Sequence, residues 1–401
     1  MDGAPKSDEE FQITITRTHK DYFSAHKALY AVEDAEKAGE IDFAALRRGE
    51  RPKILSRPWS VEIYPTMACQ IDCIHCYAQD RNREYRFKSM PVEMMDRLHV
   101  SLHRMGVRGV QYCGGGEPLI WKRGKIAEYI GGLNLDTTRA GMASNMLMGH
   151  TLADPETLRR MIFIEVAVFA HDDESYFQVA ARRNCPEKVA ANVKLLQEVK
   201  RDNGLESPAI NAKILINQIN YRWLHEIYDW SVSVGFDNIH LRLVDDYEDG
   251  VEVALTPPQI EEFKHSLLHL CDRYGLDYWR DNIGFILGAK GSSGEHSRCW
   301  TVRLGLNAWV LSNGEVYVCG PQWGTPEYCI GNLNFMEFDE IWGGAKHQEV
   351  AAKIEDRMMS SGCYKIGCRH IKQTKAINAA LEGQVAFPPA DEFEPRHSWF
   401  L

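Results

Sequence analysis

Cys69-Gln-Ile-Asp-Cys73-Ile-His-Cys76 follows a short strand-like run, 61–64, which ends at Pro65. Three thiols fall within eight residues, separated first by three residues and then by two. A short irregular loop with this spacing can wrap its sulfurs around one soft metal centre, as in zinc and iron–sulfur sites. Three sulfurs leave a four-ligand site incomplete, and an open coordination position distinguishes a reactive metal centre from a structural one.

A second motif follows the next predicted strand, where three glycines precede an acid and a proline. Consecutive glycines let the backbone approach a ligand closely and adopt conformations closed to other residues. Alone, a glycine run is weak evidence, because a tight turn is its commoner explanation. At the end of a strand and downstream of the cysteine loop, it indicates a ligand-binding turn. The motif is Cys113-Gly114-Gly115-Gly116-Glu117-Pro118.

Together the two motifs resemble those of the radical S-adenosylmethionine (radical SAM) enzymes, which carry a C-x3-C-x2-C loop after the first strand and then Gly-Gly-Glu-Pro. In that family the three cysteines hold a [4Fe–4S] cubane whose remaining iron binds SAM. One electron from the cluster cleaves SAM to methionine and a 5′-deoxyadenosyl radical, which abstracts a hydrogen atom from the substrate. The resemblance implies that Cys69, Cys73 and Cys76 bind this first cluster.

The resemblance also assigns residues to SAM. In the family an aromatic residue beside the last cysteine lies near the adenine, and the glycine motif holds the methionine amino group through its backbone and its acid. A small polar residue at the end of the third strand often contacts the cofactor. The matching positions in this chain are Tyr77, Gly114, Gly115, Gly116, Glu117, Ser144 and Asn145.

Two alternatives stay open at these positions. A Cys3His zinc knuckle would take His75 as its fourth ligand, although it would leave the later motifs unexplained. Ser144 and Asn145 also fit the N-cap of a following helix, because short polar side chains accept hydrogen bonds from a helix's first N–H groups.

Composition narrows the class of protein. The chain has 401 residues, of which 44% are hydrophobic, so a large domain and a smaller one can each bury a core. It carries 46 basic and 56 acidic residues, and its formal charge of −10 argues against a nucleic-acid partner. No apolar run approaches the roughly 20 residues of a membrane span. Eleven clustered cysteines favour metal binding in a reducing compartment, so we expect a cytoplasmic protein without a membrane partner.

Strand and helix patterns alternate from Trp59 to about Asp246. Such alternation indicates right-handed βαβ units and a parallel sheet. Six units are too few for a closed eight-stranded barrel, and the resemblance implies a partial (β/α)6 TIM-like barrel with ligands at the C-terminal strand ends. The predicted strands are 61–64, 109–113, 140–144, 163–169, 210–216 and 239–244, and the predicted helices include 92–105, 186–201 and 223–234.

Three charged residues fall on the later strands, where an unpaired charge facing a barrel interior is costly. Lys213 and Arg242 are candidates for binding the SAM carboxylate or a substrate anion. The alternative is that they pair with Glu165 on the fourth predicted strand.

A second set of cysteines follows the barrel region. An Asn313-Gly314 turn predicts a hairpin that folds Cys319 back towards Cys299. This order resembles the SPASM and twitch extensions of radical SAM enzymes, where Gly-x4-Cys and downstream cysteines bind an auxiliary cluster. Only five cysteines lie beyond residue 295, so we expect one fully ligated auxiliary [4Fe–4S] cluster, with a structural zinc as the alternative. Its predicted ligands are Cys299, Cys319, Cys363 and Cys368.

Two cysteines remain as candidate catalytic residues. Cys329 is a spare ligand, a thiol that donates a hydrogen atom, or a packed side chain. Cys113, beside the glycine run, is a second candidate hydrogen donor. We divide the chain into an N-terminal helical extension capping the next domain (1–57), a radical SAM barrel (58–250), an auxiliary-cluster domain (251–383) and a tail (384–401).

Three hypotheses for function follow. The first is a radical SAM oxidoreductase that oxidises, epimerises or rearranges a small sugar-like or aminocyclitol-like molecule in natural-product biosynthesis. The second is a maturase that modifies a ribosomally synthesised precursor peptide, and the third is a zinc-stabilised binding protein without catalysis. Either enzyme would need an external electron donor such as flavodoxin or ferredoxin.

Overall fold

The computed structural model describes residues 27–76, 78, 88–244, 252–281, 283–287, 298–361, 368–384 and 400. Tyr77 and Cys363, both predicted site residues, lie outside this set. No helix in these ranges combines the length and the apolar composition that crossing a bilayer requires.

A nine-stranded sheet organises the described residues, in the order β6-β5-β4-β3-β2-β1-β7-β8-β9. Strands β1 to β6 pair in parallel, as the strand–helix alternation predicts. The sheet does not close on itself in the described residues, so the prediction of a partial barrel is confirmed. The strands are Ser60–Ile63, Gly109–Tyr112, Arg139–Ser144, Met161–Val168, Ala209–Ile216, Asn238–Leu243, Asn307–Val310, Glu315–Tyr317 and Cys329–Asn332.

Helices connect the strands, and glycines end several of them. Helix α3 stops at Gly106 and α9 at Gly275, both in the left-handed conformation that glycine adopts without strain. The helices α1 to α15 are Lys27–Lys37, Phe43–Arg47, Val92–Met105, Ile126–Gly131, Pro155–Arg159, Asp173–Ala180, Pro186–Asp202, Leu224–Val234, Pro257–Tyr274, Asp277–Asp281, Ile283–Ile286, Trp300–Leu304, Phe338–Ile341, Ala345–Ser361 and Arg369–Leu381.

The C-terminal hairpin joins the barrel's own sheet. Strand β7 pairs in parallel with β1, with Ser60 opposite Asn307, and the Ser60 hydroxyl donates to Asn307 Oδ1 at 2.5 Å. Strand β8 then runs antiparallel to β7 after the predicted turn, where Gly314 has a φ of 87°. The predicted hairpin is therefore confirmed, and its parallel union with β1 is a feature that the local pattern does not predict.

The N-terminal helices pack against the C-terminal helices and also contact residues that flank the first barrel strands. Asp34 of α1 accepts from Arg108, directly before β2, at 3.0 Å. Leu29 and Val32 of α1 share a buried apolar cluster with Trp300 and Leu304 of α12 and Ile377 of α15. The expectation that this extension caps the following barrel domain stays a prediction, and the structure adds a second neighbour in the C-terminal helices. Its apolar face is covered by helices that come from the far end of the chain.

The two faces of the parallel sheet differ in chemistry, because successive side chains of a strand point to opposite sides. One face, including Val61, Val110 and Ile164, joins the main hydrophobic core with Leu98 of α3. The other carries polar side chains, and we call it the polar face. It includes Glu62, Gln111, Glu165, Asn211, Lys213 and His240.

Candidate active site

The cysteine loop leaves the carboxyl end of β1 and is tied to the end of α6. The N–H groups of Asp72 and Ile74 donate to the carbonyls of Ala180 and Val179, both at 3.0 Å. Ile71 adds an apolar anchor, because it is buried in a small cluster with Val179 and its neighbours. These contacts fix a loop that has no regular secondary structure of its own.

The three thiols of this loop are close enough to interact. Burial first, and then the charges of Cys76 and Cys69, raise the pKa of Cys73 well above its ordinary value. All three cysteines are free of disulfides. Three thiolates that repel one another in a partly buried loop fit a cationic centre, because a bound metal removes the thiol protons and neutralises the charge.

His75 lies between two of these cysteines but packs inwards. Its ring centroid is 5.1 Å from that of Phe169, and burial lowers its pKa to about 4. Among the described residues, no three His, Cys, Asp or Glu side chains are arranged to hold a single metal ion. A [4Fe–4S] cubane does not need its cysteines to converge on one point, since each cysteine binds a different iron.

The glycine turn is pressed against the segment that leads into the cysteine loop. A Cβ at Gly114 would lie 2.2 Å from the Tyr64 ring, and one at Gly116 would lie 2.1 Å from the Ala68 carbonyl oxygen. The N–H of Gly116 donates to Thr66 O at 3.0 Å. Gly115 has the same restriction, because its φ is 62° and a Cβ there would lie 2.2 Å from the Met67 sulfur. Backbone contact at Gly116 and positive φ at Gly114 and Gly115 therefore favour glycine at these positions, whereas their contact with SAM stays a prediction.

Glu117 is buried at the centre of this region and joins it to β3. It accepts hydrogen bonds from Ser144 Oγ at 2.8 Å, from the Asn145 N–H at 2.7 Å and from the Leu119 N–H at 3.0 Å. Burial raises its pKa to about 7, although these three donors act in the opposite direction. The structure thus brings together three residues predicted to contact SAM, around a carboxyl that titrates near neutral pH.

Asn145 links Glu117 to the cysteine loop. Its amide Nδ2 donates to the Cys69 sulfur at 3.7 Å, and its Oδ1 accepts from Gln70 Nε2 at 3.2 Å. The helix N-cap alternative is wrong for this position, because the next helical turn has Met148 as its N-cap. Gln70 is a residue that the sequence analysis missed, although its place inside the cysteine loop was a signal.

A buried polar cluster lies on the polar face across β4, β5 and β6. His240 Nδ1 is 3.2 Å from Glu165 Oε1, and Asn211 Nδ2 donates to the same oxygen at 3.0 Å. Asn238 Nδ2 donates to Asn211 Oδ1 at 2.7 Å. Burial alone would raise the pKa of Glu165, but the charges of His240 and Lys213 and these hydrogen bonds hold it below its ordinary value.

The charged candidates on these strands have different surroundings. Lys213 is half-buried and close enough to Glu165 to lower its pKa, whereas Arg242 is exposed beyond His240 on β6. The buried ion-pair partner of Glu165 is thus His240, which the sequence analysis did not single out. Little in the sequence indicated this role of His240, because histidines on strands are common.

The two candidate hydrogen donors lie apart in the sheet. Cys113 ends the β2 segment, and its buried thiol donates to Glu62 Oε2 on β1 at 3.4 Å. Cys329 begins the edge strand β9, where its thiol donates to Gly331 O at 3.2 Å and burial raises its pKa. Only Cys113 therefore adjoins the glycine turn.

Three of the predicted auxiliary ligands lie at the starts of helices. Cys299 is the N-cap of α12, Cys368 is the N-cap of α15, and Cys319 precedes a 3-10 turn. The Trp309 ring lies near residues that follow two of them. It is 3.0 Å from a Cβ placed on Gly320, which follows Cys319, and its centroid is 5.6 Å from that of His370, two residues after Cys368.

Cys319 and the first cysteine loop lie at opposite ends of the sheet's strands. Tyr317, the last residue of β8, lies opposite Trp309, which lies opposite Glu62. Cys319 follows two residues beyond β8 and is therefore level with the start of β1. The loop that holds Cys69 follows the other end of β1. The four residues of β1 span about 13 Å, so the polar face runs between the two cysteine sites.

Comparisons with known proteins agree with this architecture. Residues 63–230 match the Radical SAM superfamily, and residues 299–369 match SPASM, an iron–sulfur cluster-binding domain. No curated protein matches the chain closely enough in sequence to be named a relative.

Solved structures with the same fold include SuiB of Streptococcus suis bound to S-adenosylmethionine, at a TM-score of 0.56 and 17% identity over 79% of this chain and 76% of that one. SuiB bound to the precursor peptide SuiA gives 0.55 and 18%, covering 80% and 71%. The anSMEcpe protein with bound AdoMet and Cp18Cys peptide gives 0.52 and 16%, covering 82% and 98%.

The matched domains define the cofactors. A radical SAM domain uses a [4Fe–4S] cluster with SAM, and a SPASM domain binds auxiliary iron–sulfur clusters. The cysteines of both predicted sites form no disulfide among the described residues. The chain belongs to the radical SAM superfamily and carries a C-terminal SPASM domain.

Proposed function

We propose that this enzyme abstracts a hydrogen atom from a small polar molecule bearing hydroxyl or amino groups, such as a sugar or an aminocyclitol in natural-product biosynthesis. The observation that carries the proposal is the polar face between the two cysteine sites. It supplies carboxylate, amide, ammonium and imidazole groups within the barrel, and such groups recognise hydroxyl and amino substituents by hydrogen bonding.

In this proposal the cysteine loop holds the first cluster through Cys69, Cys73 and Cys76. When bound, SAM and this cluster supply the radical that removes the substrate hydrogen. The SAM site comprises Tyr77, the glycine turn, and the group of Glu117, Ser144 and Asn145 that the structure brings together. A single auxiliary cluster is held by Cys299, Cys319, Cys363 and Cys368.

The roles of the polar face follow from burial and position. Glu165 and His240 are both 1% exposed, so they form a fixed acceptor and donor pair that does not reorganise when a substrate binds. Lys213 is half-buried and Arg242 is exposed, so they meet a substrate group nearer the mouth of the barrel. Cys113, held by Glu62, is positioned to donate a hydrogen atom if the reaction is an epimerisation. Cys329, on the sheet edge, is the weaker candidate for that role.

Oxidation is the reaction that the two cysteine sites favour. Because the two cysteine sites lie at opposite ends of the sheet's strands, a substrate on the polar face would lie between the two clusters. The substrate would lose one hydrogen atom on the side of the first cluster, and one electron with one proton on the side of the auxiliary cluster. Together these losses complete a two-electron oxidation. An external flavodoxin or ferredoxin would then keep the first cluster reduced, which places the enzyme in a reducing cytoplasm.

A second candidate is modification of a ribosomally synthesised peptide. It is retained because two structures with this fold contain peptides, the precursor SuiA in one and Cp18Cys in the other. The exposed large apolar side chains of the described residues include Val100, Phe177 and Phe335, which belong to separate elements. Phe335 and Met336 are the adjacent pair among these exposed side chains of the described residues.

Label transfer distinguishes the two candidates. The reconstituted enzyme, with SAM and dithionite, is incubated with deuterated sugars and aminocyclitols and separately with deuterated peptides. We expect deuterium in 5′-deoxyadenosine only with the first group. Label from peptides alone would replace the first candidate by the second. About eight irons with matching sulfide per chain support two clusters, whereas zinc without sulfide would refute both candidates.

A further inference from the structure

A basic surface lies on the side of the molecule where α12 and α15 begin. The segment 47–53 has four basic residues and one acid, and α15 has basic residues but no acid, in a chain whose formal charge is −10. A local excess of positive charge in an acidic protein is a feature that a partner of opposite charge can recognise. We define this basic surface as Arg47, Arg51, Lys53, Arg303, Lys372 and Lys375.

Contacts along the backbone hold the three segments together. The Leu55 N–H donates to Leu304 O at 2.9 Å, which joins the N-terminal segment to α12. Arg47 Nε donates to Leu381 O at 2.6 Å, and the Trp300 N–H donates to Thr374 Oγ1 at 3.3 Å. The basic surface therefore belongs to one packed unit, although its residues are far apart in sequence.

Few carboxylates neutralise this surface. Glu355 accepts from Arg303 at 3.0 Å and lies 3.6 Å from Arg51. Glu50 is 2.8 Å from Arg48, so the opposite charges of that neighbouring pair cancel each other. Lys53 and Lys375 are exposed. Glu382, next to the Leu381 that accepts from Arg47, is also exposed, and the six basic residues of the surface outnumber the two carboxylates Glu355 and Glu382.

A cavity of about 240 Å³ opens on this surface between Arg51, Lys53, Ile54, Arg303 and Gln348. The Arg303 side chain is only 9% exposed, and its Nε has no hydrogen-bond partner among the described residues. Burial of a guanidinium with an unused donor is costly, and an entering carboxylate would offset part of that cost. The cavity matches an acidic side chain of a partner.

The position of this surface relates it to the auxiliary cysteines. Arg303 lies one helical turn after Cys299, and its N–H donates to Cys299 O at 2.8 Å. Lys372 and Lys375 lie in the first two turns of α15, which follows Cys368. Arg303, Lys372 and Lys375 therefore lie on the two helices that begin at these proposed auxiliary ligands.

We propose that the basic surface is the docking site of an acidic electron-transfer protein of the flavodoxin or ferredoxin kind. The inference rests on the proposed function, since it takes Cys299 and Cys368 as ligands of the auxiliary cluster. In each docking event the partner loses one electron and the enzyme gains one, and no proton or bond changes at the surface itself. Docking here would let the partner's electron reach the first cluster through the auxiliary cluster, which would thereby be oxidised again before it accepts the substrate's electron.

The test measures binding as well as reduction. Lys53→Glu/Lys375→Glu reverses two charges of the surface without touching the Arg51–Glu355–Arg303 contacts. The control, Lys188→Glu/Lys194→Glu, makes the same change in charge at exposed positions of α7, which packs against α5 and α8. The holoenzyme and both variants are titrated with a flavodoxin at low and at high ionic strength, and cluster reduction is followed by absorbance.

We expect the first variant to weaken flavodoxin binding about tenfold or more at low salt and to slow reduction equally, while the control stays close to wild type. The difference should shrink as salt rises, because screening removes steering between exposed charges. Equal losses in both variants, or no loss in the first, would overturn the proposal.

Two further measurements distinguish the docking site from a failure of the proposed function and from a small-anion site. Dithionite-driven formation of 5′-deoxyadenosine should be unchanged in the first variant, and its absence in wild type would refute the proposed function instead. Inorganic phosphate should not raise the melting temperature through Lys53. A phosphate-induced shift abolished by Lys53→Glu/Lys375→Glu, with unchanged flavodoxin binding, would identify a small-anion site and refute the docking site.

Discussion

Replacing Gly116 with alanine puts a methyl group where the structure leaves no space. Its ideal Cβ lies 2.1 Å from the carbonyl oxygen of Ala68 and 2.6 Å from the carbonyl carbon. Because these are backbone atoms, they can yield only if the segment 66–68 moves. That movement would also strain the hydrogen bonds from Gly116 N–H to Thr66 O, at 3.0 Å, and from Glu117 N–H to Ala68 O, at 2.9 Å.

The expected cost combines two effects. Overpacking costs about 1–3 kcal/mol, and each lost backbone hydrogen bond costs about 1 kcal/mol. We therefore expect Gly116→Ala to lower the free energy of unfolding by about 3–5 kcal/mol. The same shift moves the residues that lead into Cys69, so SAM affinity and iron retention should fall as well.

Denaturant unfolding followed by tryptophan fluorescence measures the first effect, and SAM titration with iron analysis measures the second. Gly131→Ala is the matched control, because its Cβ would meet only Thr157 Oγ1, at an ordinary 3.5 Å. It should leave stability unchanged or slightly raised, since alanine favours a helix. Wild-type stability and SAM binding in Gly116→Ala would show that the glycine turn is not clamped against the cysteine loop as described.

Three other predictions concern single residues. Glu117 has its pKa raised by burial from an ordinary 4.5 to about 7, so the folded state binds its proton more tightly than the unfolded chain does. Stability should thus fall by about 3 kcal/mol between pH 4.5 and pH 8 through this group, and denaturation of Glu117→Gln across that range should lack this component. His240→Ala leaves Glu165 buried without its ion-pair partner and should cost about 3–5 kcal/mol, whereas His240→Ala/Glu165→Ala should recover much of it; equal loss in both would contradict the pairing. Cys319→Ala should halve the iron of the reconstituted enzyme while Cys271→Ala, within α9, leaves it unchanged, and full iron in the first would remove Cys319 from the proposed ligands.

Much of the barrel could be predicted from sequence because its signals are local. Helix α3 begins and ends at its predicted residues, since the apolar spacing and Gly106 both mark it within one segment. The parallel strands likewise lie within two residues of their predicted bounds. The cysteine spacing and the glycine run indicated the radical SAM family for the same reason, because each is a local motif.

The rest depends on contacts between distant segments. Glu165 and His240 are separated by 75 residues, and their pairing requires the register of β4, β5 and β6. Two-residue alternation places both on one face but does not say which residues meet. The clamp on Gly116 by Ala68 is of the same kind, because the glycine motif indicates a close approach without naming the approaching atom.

The parallel pairing of β7 with β1 has a mechanical consequence. The cysteine loop extends from one end of β1, and Cys319 is held level with the other end through β7 and β8. The hydrogen-bonded strands thus fix the distance over which an electron would tunnel between the redox centres that these segments would carry. A change in the loops around the mouth would therefore leave that distance unchanged, because the paired strands set it.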